Sequence, residues 1–166
     1  MTADPTCASV DDSAAQVARV MRDKDCGSLP VSDATGKIVG VITDRDLAVR
    51  GLAEELGPDA LVSKLMTVFP YCCGADDDVQ TVEKLMADRK VRRVPVVDEN
   101  QRCIGVIAQA DLARAATQKA TVTDREVALV VERISSPGNS PHRATPPRGV
   151  DPNADTLLII HDKSDR

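Results

Sequence analysis

The sequence predicts an α/β (α+β) protein made of two similar halves, each running strand, helix, strand, strand, helix. Three observations carry that prediction. The chain aligns with itself at an ungapped offset of 65 residues. Each copy has one amphipathic stretch followed by two short β-rich runs joined by a turn. Each copy then closes on a glycine, two apolar residues and a carboxylate at a helix start: Gly40-Val41-Ile42-Thr43-Asp44-Arg45-Asp46-Leu47 recurs as Gly105-Val106-Ile107-Ala108-Gln109-Ala110-Asp111-Leu112. The repeat extends well beyond this segment. Met1 and Thr2 match Met66 and Thr67, Pro5 matches Pro70, and Val17, Met21 and Asp23 match Val82, Met86 and Asp88. Two copies of a small supersecondary unit imply a pseudo-twofold module whose halves cover each other's apolar faces.

The elements follow in order. Ser13 is suited to cap a helix that carries Val17, Val20 and Met21 on one face. Gly27 is expected to end it, since glycine accepts a left-handed conformation. Leu29-Pro30-Val31, a turn over Asp33 to Gly36, and Ile38 to Ile42 predict a hairpin, and a second helix should start near Asp44. In the second copy a helix beginning near Asp77 or Asp78 presents Val79, Val82, Leu85 and Met86. Strands are expected over Arg93–Val97 and Cys103–Ile107, and a helix from Gln109. Pro30 and Pro95 cannot donate to a ladder, so each is expected at a strand edge or start. The organisation expected is repeat one over 1–53, a linker over 54–65 and repeat two over 66–120. A C-terminal helix over 121–134 and a flexible tail over 135–166, rich in Pro, Ser, Gly and Asn, complete it. Thr156 to Ile160 is a short apolar run that could add a strand to a sheet edge or dock on a partner.

Composition narrows the function classes. Apolar residues make up 42% and aromatics 1%, so a sizeable core must be aliphatic. A formal net charge of -5 argues against sequence-independent nucleic-acid binding, which needs basic surfaces. No apolar run approaches the roughly 20 residues of a membrane span, and Met1 to Val10 lacks the character of a signal peptide. A cytoplasmic protein is expected. The five cysteines (7, 26, 72, 73 and 103) fit free thiols in that compartment. They are expected as small buried hydrophobes, with a thiol switch at Cys26 or at Cys72 and Cys73 as the alternative. The only histidines, His142 and His161, lie in the tail, and no C-x-x-C occurs, so no zinc site is expected. No catalytic residues are expected: histidine is missing from residues 1–134, and there is no Gly-rich phosphate loop.

The repeated segment carries the chemistry. A strand running through glycine to a hydroxyl, then a carboxylate at a helix start, suits a ribose phosphate. Thr43 and Asp46 equally suit plain helix capping. The second copy keeps Gly105 and Asp111 but has Ala108 in place of Thr43. Loss of one hydrogen bond to a charged phosphate weakens binding by roughly 1.5–3 kcal/mol, on the order of 10- to 100-fold. The second half-site is therefore expected to be empty, weaker, or specific for a different ligand. Asp76, Asp77 and Asp78 form an acidic run better suited to a capped helix start than to an ion.

With Leu29-Pro30-Val31 and Val94-Pro95-Val96 each ten residues before a glycine, and two glycine–Thr/Ala–Asp segments in register, the chain resembles a tandem pair of cystathionine beta-synthase (CBS) domains, a Bateman module. The resemblance covers residues 1–120 and is similar in plan to small stand-alone bacterial proteins of that kind. It implies a regulatory module rather than an enzyme, with AMP, ADP or ATP as ligand, S-adenosylmethionine or NAD(H) as further candidates, and no required cofactor. It implies ligand contact by Ser28, Leu29, Pro30, Gly40, Val41, Ile42, Thr43 and Asp46 in the first half, and by Arg92, Arg93, Val94, Pro95, Gly105 and Asp111 in the second. Gly40 would let the backbone approach the ligand, Asp46 would hold the ribose hydroxyls, and Leu29, Pro30, Val41 and Ile42 would form a slot for the purine. Arg92 and Arg93 could meet phosphates across a shared cleft, or simply pair with Asp88 or Glu99. A homodimer and an unidentified effector protein are the expected partners. The alternative is a ligand-independent stress or interaction protein.

Overall fold

The computed structural model describes residues 1–118, 131–132 and 158–159, and its elements keep the alternation seen in the sequence. The first half holds β1 (Thr2–Ala3), β2 (Ala8–Ser9), α1 (Ala14–Asp23), β3 (Ser28–Ser32), β4 (Ile38–Thr43) and α2 (Asp44–Asp46), which runs on into a π-helical stretch, Leu47–Leu52. After α3 (Val62–Leu65), the second half repeats the pattern as β5 (Thr67–Val68), β6 (Tyr71–Gly74), α4 (Val79–Arg89), β7 (Arg93–Val97), β8 (Cys103–Ala108) and α5 (Gln109–Gln118). A last strand, β9, covers Leu158–Ile159. Among the described residues no helix is long and apolar enough to cross a membrane. The remainder of the helix expected over 121–134, beyond helical Val131 and Glu132, lies outside the described residues, as do 135–157 and 160–166 of the tail.

The strands form two sheets, ordered β2-β3-β4-β5 and β1-β8-β7-β6-β9. The first strand of each half therefore belongs to the sheet of the other. Thr2 and Ala3 lie opposite Val106 and Gly105, while Val68 and Thr67 lie opposite Gly40 and Val41. The two glycines make this possible. A Cβ on Gly40 would sit 2.5 Å from Met66 Sδ and 3.1 Å from the Thr67 carbonyl oxygen. One on Gly105 would sit 2.7 Å from Met1 Sδ and 3.4 Å from Thr2 O. Gly40 is thus needed for the close approach of the segment that enters the exchanged strand.

Each half has its own aliphatic core. In the first, Val17 and Met21 of α1 pack on Leu29, Val31 and Ile42, joined by Ala60, Val62 and Leu65 from the connecting segment. The connector is thus part of the core: Val62 N donates to Asp12 O (2.8 Å) and Ser63 N to Val10 O (3.1 Å). In the second, Val82, Leu85 and Met86 of α4 pack on Cys73, Val94, Val96 and Leu112. Val79, expected on the same face, is instead 45% exposed, because it is the first residue of α4 and precedes the buried stripe. A third cluster of Cys7, Ile38, Cys72, Val97 and Cys103 lies between the halves.

Several local expectations meet the structure, and two do not. Ser13 caps α1 in a reciprocal box with Gln16. Asp78 caps α4 by accepting from Gln80 N (3.2 Å), and Asp77 accepts from Gly74 N (2.7 Å), so the acidic run serves the helix start. Gly27, however, does not terminate α1 in a left-handed conformation. That conformation falls to Asp25 (φ 50°), and to Lys90 (φ 53°) at the equivalent place after α4. Pro30 and Pro95 also lie within interior strands, opposite Val41 and Val106, and not at a strand start. Each is tolerated because the ladder on its other side begins one residue later, at Val31 with Ala8 and at Val96 with Cys73. Leu158 and Ile159 extend the second sheet in parallel beside Tyr71 and Cys72, the edge-strand role foreseen for that apolar run.

The glycine contacts predict a graded cost. Gly40→Ala meets backbone and should lower unfolding free energy by ~1–3 kcal/mol in urea titrations. Gly105→Ala should cost less, since it meets mainly the end of the exposed Met1 side chain. Burial likewise pushes the Cys72 thiol up to about 12 and the Cys73 thiol to about 11. Native protein treated with iodoacetamide near pH 8 should therefore leave both unmodified, with labelling of both only after denaturation, as read by peptide mass.

Candidate functional site

β4 delivers Thr43 directly into α2, and the local sequence closes a compact polar cluster there. Thr43 Oγ1 donates to Asp46 Oδ2 (2.7 Å) and accepts from Asp46 N (3.1 Å), while Thr43 N donates to the same carboxylate oxygen (3.0 Å). The capping reading of these two residues is therefore realised in full. The second oxygen of Asp46 faces Arg50, whose Nη1 is 3.5 Å from Oδ1. Arg50 also donates to Leu65 O (2.7 Å) and to Thr67 Oγ1 (3.2 Å), on the segment that enters the exchanged strand β5. Asp46, Arg50 and β5 thus form one connected chain of contacts, with both side chains largely shielded (15% and 22% exposed). Sequence reading passes over Arg50. The signal that could have found it is the i,i+4 spacing from Asp46.

The second half builds a poorer version. Asp111 Oδ2 still accepts from Ala108 N (2.9 Å), but Ala108 has no hydroxyl to complete the box. Asp111 Oδ1 faces Arg114 Nη1 (3.6 Å) and the Met1 ammonium (3.9 Å). The position equivalent to Arg50 is Ala115, so no side chain there can span to the exchanged strand β1.

The register places the other expected residues. Ser28 lies opposite Thr43, Leu29 opposite Ile42 and Pro30 opposite Val41. In the second sheet Arg93 lies opposite Ala108, Val94 opposite Ile107 and Pro95 opposite Val106. Leu29 and Ile42 point into the first core, 3% and 0% exposed, and so are committed to packing under α1. Of the four residues expected to form a purine slot, Pro30 and Val41 lie on the opposite sheet face. Val94 is equally committed to the second core. Arg92 and Arg93 are exposed. Arg92 O accepts from Gln109 N (2.9 Å), as Gly27 O accepts from Asp44 N (3.0 Å). Arg93 therefore sits across the ladder from the position where the hydroxyl is missing. Arg45 is exposed. Among the described residues no group of three or more His, Cys, Asp or Glu could hold a metal ion, and His142 and His161 lie outside those residues.

Comparison with known proteins gives a consistent family. The CBS domain model matches residues 1–51 and 62–117. Hypoxic response protein 1 of Mycobacterium tuberculosis is 34% identical over 123 residues, covering 74% of this chain and 85% of that protein. The crystal structure of Hypoxic Response Protein I with two coordinated zinc ions superposes with a TM-score of 0.64 at 35% identity, covering 69% of this chain and 92% of that one. CBSX2 of Arabidopsis thaliana, solved in complex with AMP, gives 0.62 at 27% identity over 71% of this chain and 93% of its own. The CBS domain pair of MJ0100, solved with 5'-methylthioadenosine and S-adenosyl-L-methionine, gives 0.61 at 26% identity over 70% and 94%.

The reciprocal cap makes its own prediction. Thr43→Ala leaves the start of α2 without its side-chain acceptor and should cost ~0.5–2 kcal/mol of stability in chemical denaturation, with Thr43→Ser close to the parent. A Thr43→Ala variant as stable as the parent would show that the cap carries no structural weight.

Proposed function

The chain belongs to the CBS domain family, and we propose that it is a non-enzymatic regulatory module that binds an adenosine-containing ligand, AMP, ADP or ATP first among them, at the first-half site. The observation that carries this reading is the chain of contacts from Thr43 through Asp46 and Arg50 to Thr67, which Ala108 and Ala115 cannot reproduce in the second half. The ligands of CBSX2 and of the MJ0100 pair share an adenosine moiety, which supports that ligand class.

Asp46 is fitted to such a ligand. A carboxylate offers about four lone-pair sites. Thr43 takes both contacts on Oδ2 and Arg50 one on Oδ1, so a ribose hydroxyl can donate to the remaining site or replace Arg50. Thr43 can donate to a phosphate only by releasing Asp46 Oδ2, so binding opens the cap. Arg92 and Arg93, exposed beside the second half-site, are free to meet phosphate oxygens. Half-buried Val41, with Ser28 at the strand end, offers surface for the base, while Pro30 beside it is buried.

The signalling step follows from Arg50. A ligand that draws Asp46 away from Arg50 weakens the hold on Thr67 and hence on the strand that joins the two halves. A ligand moves such an equilibrium only as far as its affinities for the two states differ. The output would pass to an effector protein or through rearrangement of a homodimer, in the cytoplasm.

Titration with AMP, ADP, ATP, S-adenosylmethionine and NADH, followed by thermal unfolding, tests the reading. A true ligand at 100 times its Kd stabilises by about 2.7 kcal/mol. Asp46→Asn should lose that response, whereas Asp111→Asn should keep most of it. Ala108→Thr should strengthen binding at the second half, seen as higher stoichiometry by calorimetry. Absence of a shift with every adenosyl compound would favour the ligand-independent interaction protein.

A further inference from the structure

Away from the half-sites, three cysteines from distant parts of the chain meet between the two halves. Cys7 lies just before β2, Cys72 lies in β6, and Cys103 opens β8; with Ile38 and Val97 they form a cluster separate from both cores. The repeat explains the meeting, because Cys7 is equivalent to Cys72 and Ile38 to Cys103 at the offset of 65. Equivalent positions facing a pseudo-twofold axis face one another.

Accessibility separates the three. Cys72 is fully buried, whereas Cys7 and Cys103 are half-buried. The backbone brings these two together: Ala3 pairs with Gly105 and Asp4 N donates to Ile104 O (3.3 Å), so the segment leading to Cys7 runs alongside the start of β8. Cys103 Sγ donates to Gly105 O (3.2 Å) and Cys7 Sγ to Pro5 O (3.7 Å), which anchors both side chains. The proximity of Cys103 holds the Cys7 thiol below its ordinary range, and the proximity of Cys7 together with burial pushes Cys103 up. The half-buried Cys7 and Cys103 shift in opposite directions, an order suited to attack by Cys7 followed by resolution by Cys103. The pairing of Cys72 with Cys73 fits less well, because neighbours in a strand point to opposite faces: Cys72 joins this cluster and Cys73 the second core.

We propose that Cys7 and Cys103 are a peroxide-responsive pair whose disulfide staples the N-terminal exchanged strand to the second half. The Cys7 thiolate attacks one oxygen of hydrogen peroxide, the O–O bond breaks, and the departing hydroxide takes up the Cys7 proton as water. The Cys103 sulfur then attacks the Cys7 sulfenic acid. The S–S bond forms, the S–O bond breaks, and the hydroxyl leaves as water with the Cys103 proton. Two thiols and one peroxide give one disulfide and two waters, with two electrons passing from sulfur to oxygen; a small dithiol reverses the change. The bond closes a loop from the first strand to β8, so separation of the halves then requires breaking it.

The test uses the folded full chain, one equivalent of hydrogen peroxide and an alkylating quench. The intact mass should fall by about 2 Da relative to the reduced chain. Trypsin should release residues 1–19 linked to 103–114, each holding one cysteine, and dithiothreitol should separate them. Cys26→Ser should preserve this linkage, while Cys7→Ser and Cys103→Ser should each abolish it. The oxidised chain should unfold at a higher temperature than the reduced one. A linkage involving peptides 25–37 or 65–84, a covalent dimer in place of the internal bond, or sulfinic acid at Cys7 without a link would overturn the proposal. An unchanged unfolding temperature would overturn the stapling role.

Discussion

The contact of each exchanged strand with the opposite glycine is the constraint on which the rest of the molecule depends. With only hydrogen at Gly40, the Met66 side chain and the Thr67 carbonyl can lie against β4; with only hydrogen at Gly105, the Met1 side chain and the Thr2 carbonyl can lie against β8. Neither half can complete its sheet from its own residues. The aliphatic cores below are therefore built on a frame that exists only when both halves are folded together.

The helix starts inherit that frame. Asp46 and Asp111 each follow the strand that carries the glycine, so each carboxylate sits close to the other half's first strand. In the first half Arg50 bridges the distance, binding Asp46 on one side and Leu65 O and Thr67 Oγ1 on the other. In the second, Asp111 has Arg114 on its own helix and the Met1 ammonium opposite. The single exchange of Thr43 for Ala108 is thus one part of a wider difference: the first site is tied to the strand exchange by a long side chain, and the second is not. A polar event at Asp46 has a mechanical route between the halves through Arg50 and Thr67.

Particular residues show how much could be read in advance. Ser13, Asp78, Thr43 and Asp46 were legible as caps because capping depends on residues two or three positions apart. The turns were legible for the same reason: Asp33 Oδ1 accepts from Thr35 N (2.8 Å) and Asp98 Oδ1 from Arg102 N (2.8 Å). Leu29 and Ile42, expected in a purine slot, are buried in the first core, a burial that sequence alone did not show because apolar strand residues look alike. Gly27 was misread as a terminator because its requirement is tertiary: a Cβ there would meet Asp44 Oδ2 at 3.0 Å. Arg50 went unnoticed because two of its partners lie 15 and 17 residues away.

The sequence by itself determined the repeat, the order of elements, the helix starts and the difference between the two half-sites, since all of these are set by spacing over a few residues or by comparing one copy with the other. It also determined an aliphatic core, as the chain has almost no aromatic residues. Only the tertiary structure decided that the first strands are exchanged, that the connector enters the first core, and that Cys7 and Cys103 converge between the halves. Those facts depend on which surfaces the two copies turn toward each other. A repeat specifies the units, but their mutual docking is fixed by side-chain fit across a pseudo-twofold axis, where residues 65 positions apart become neighbours.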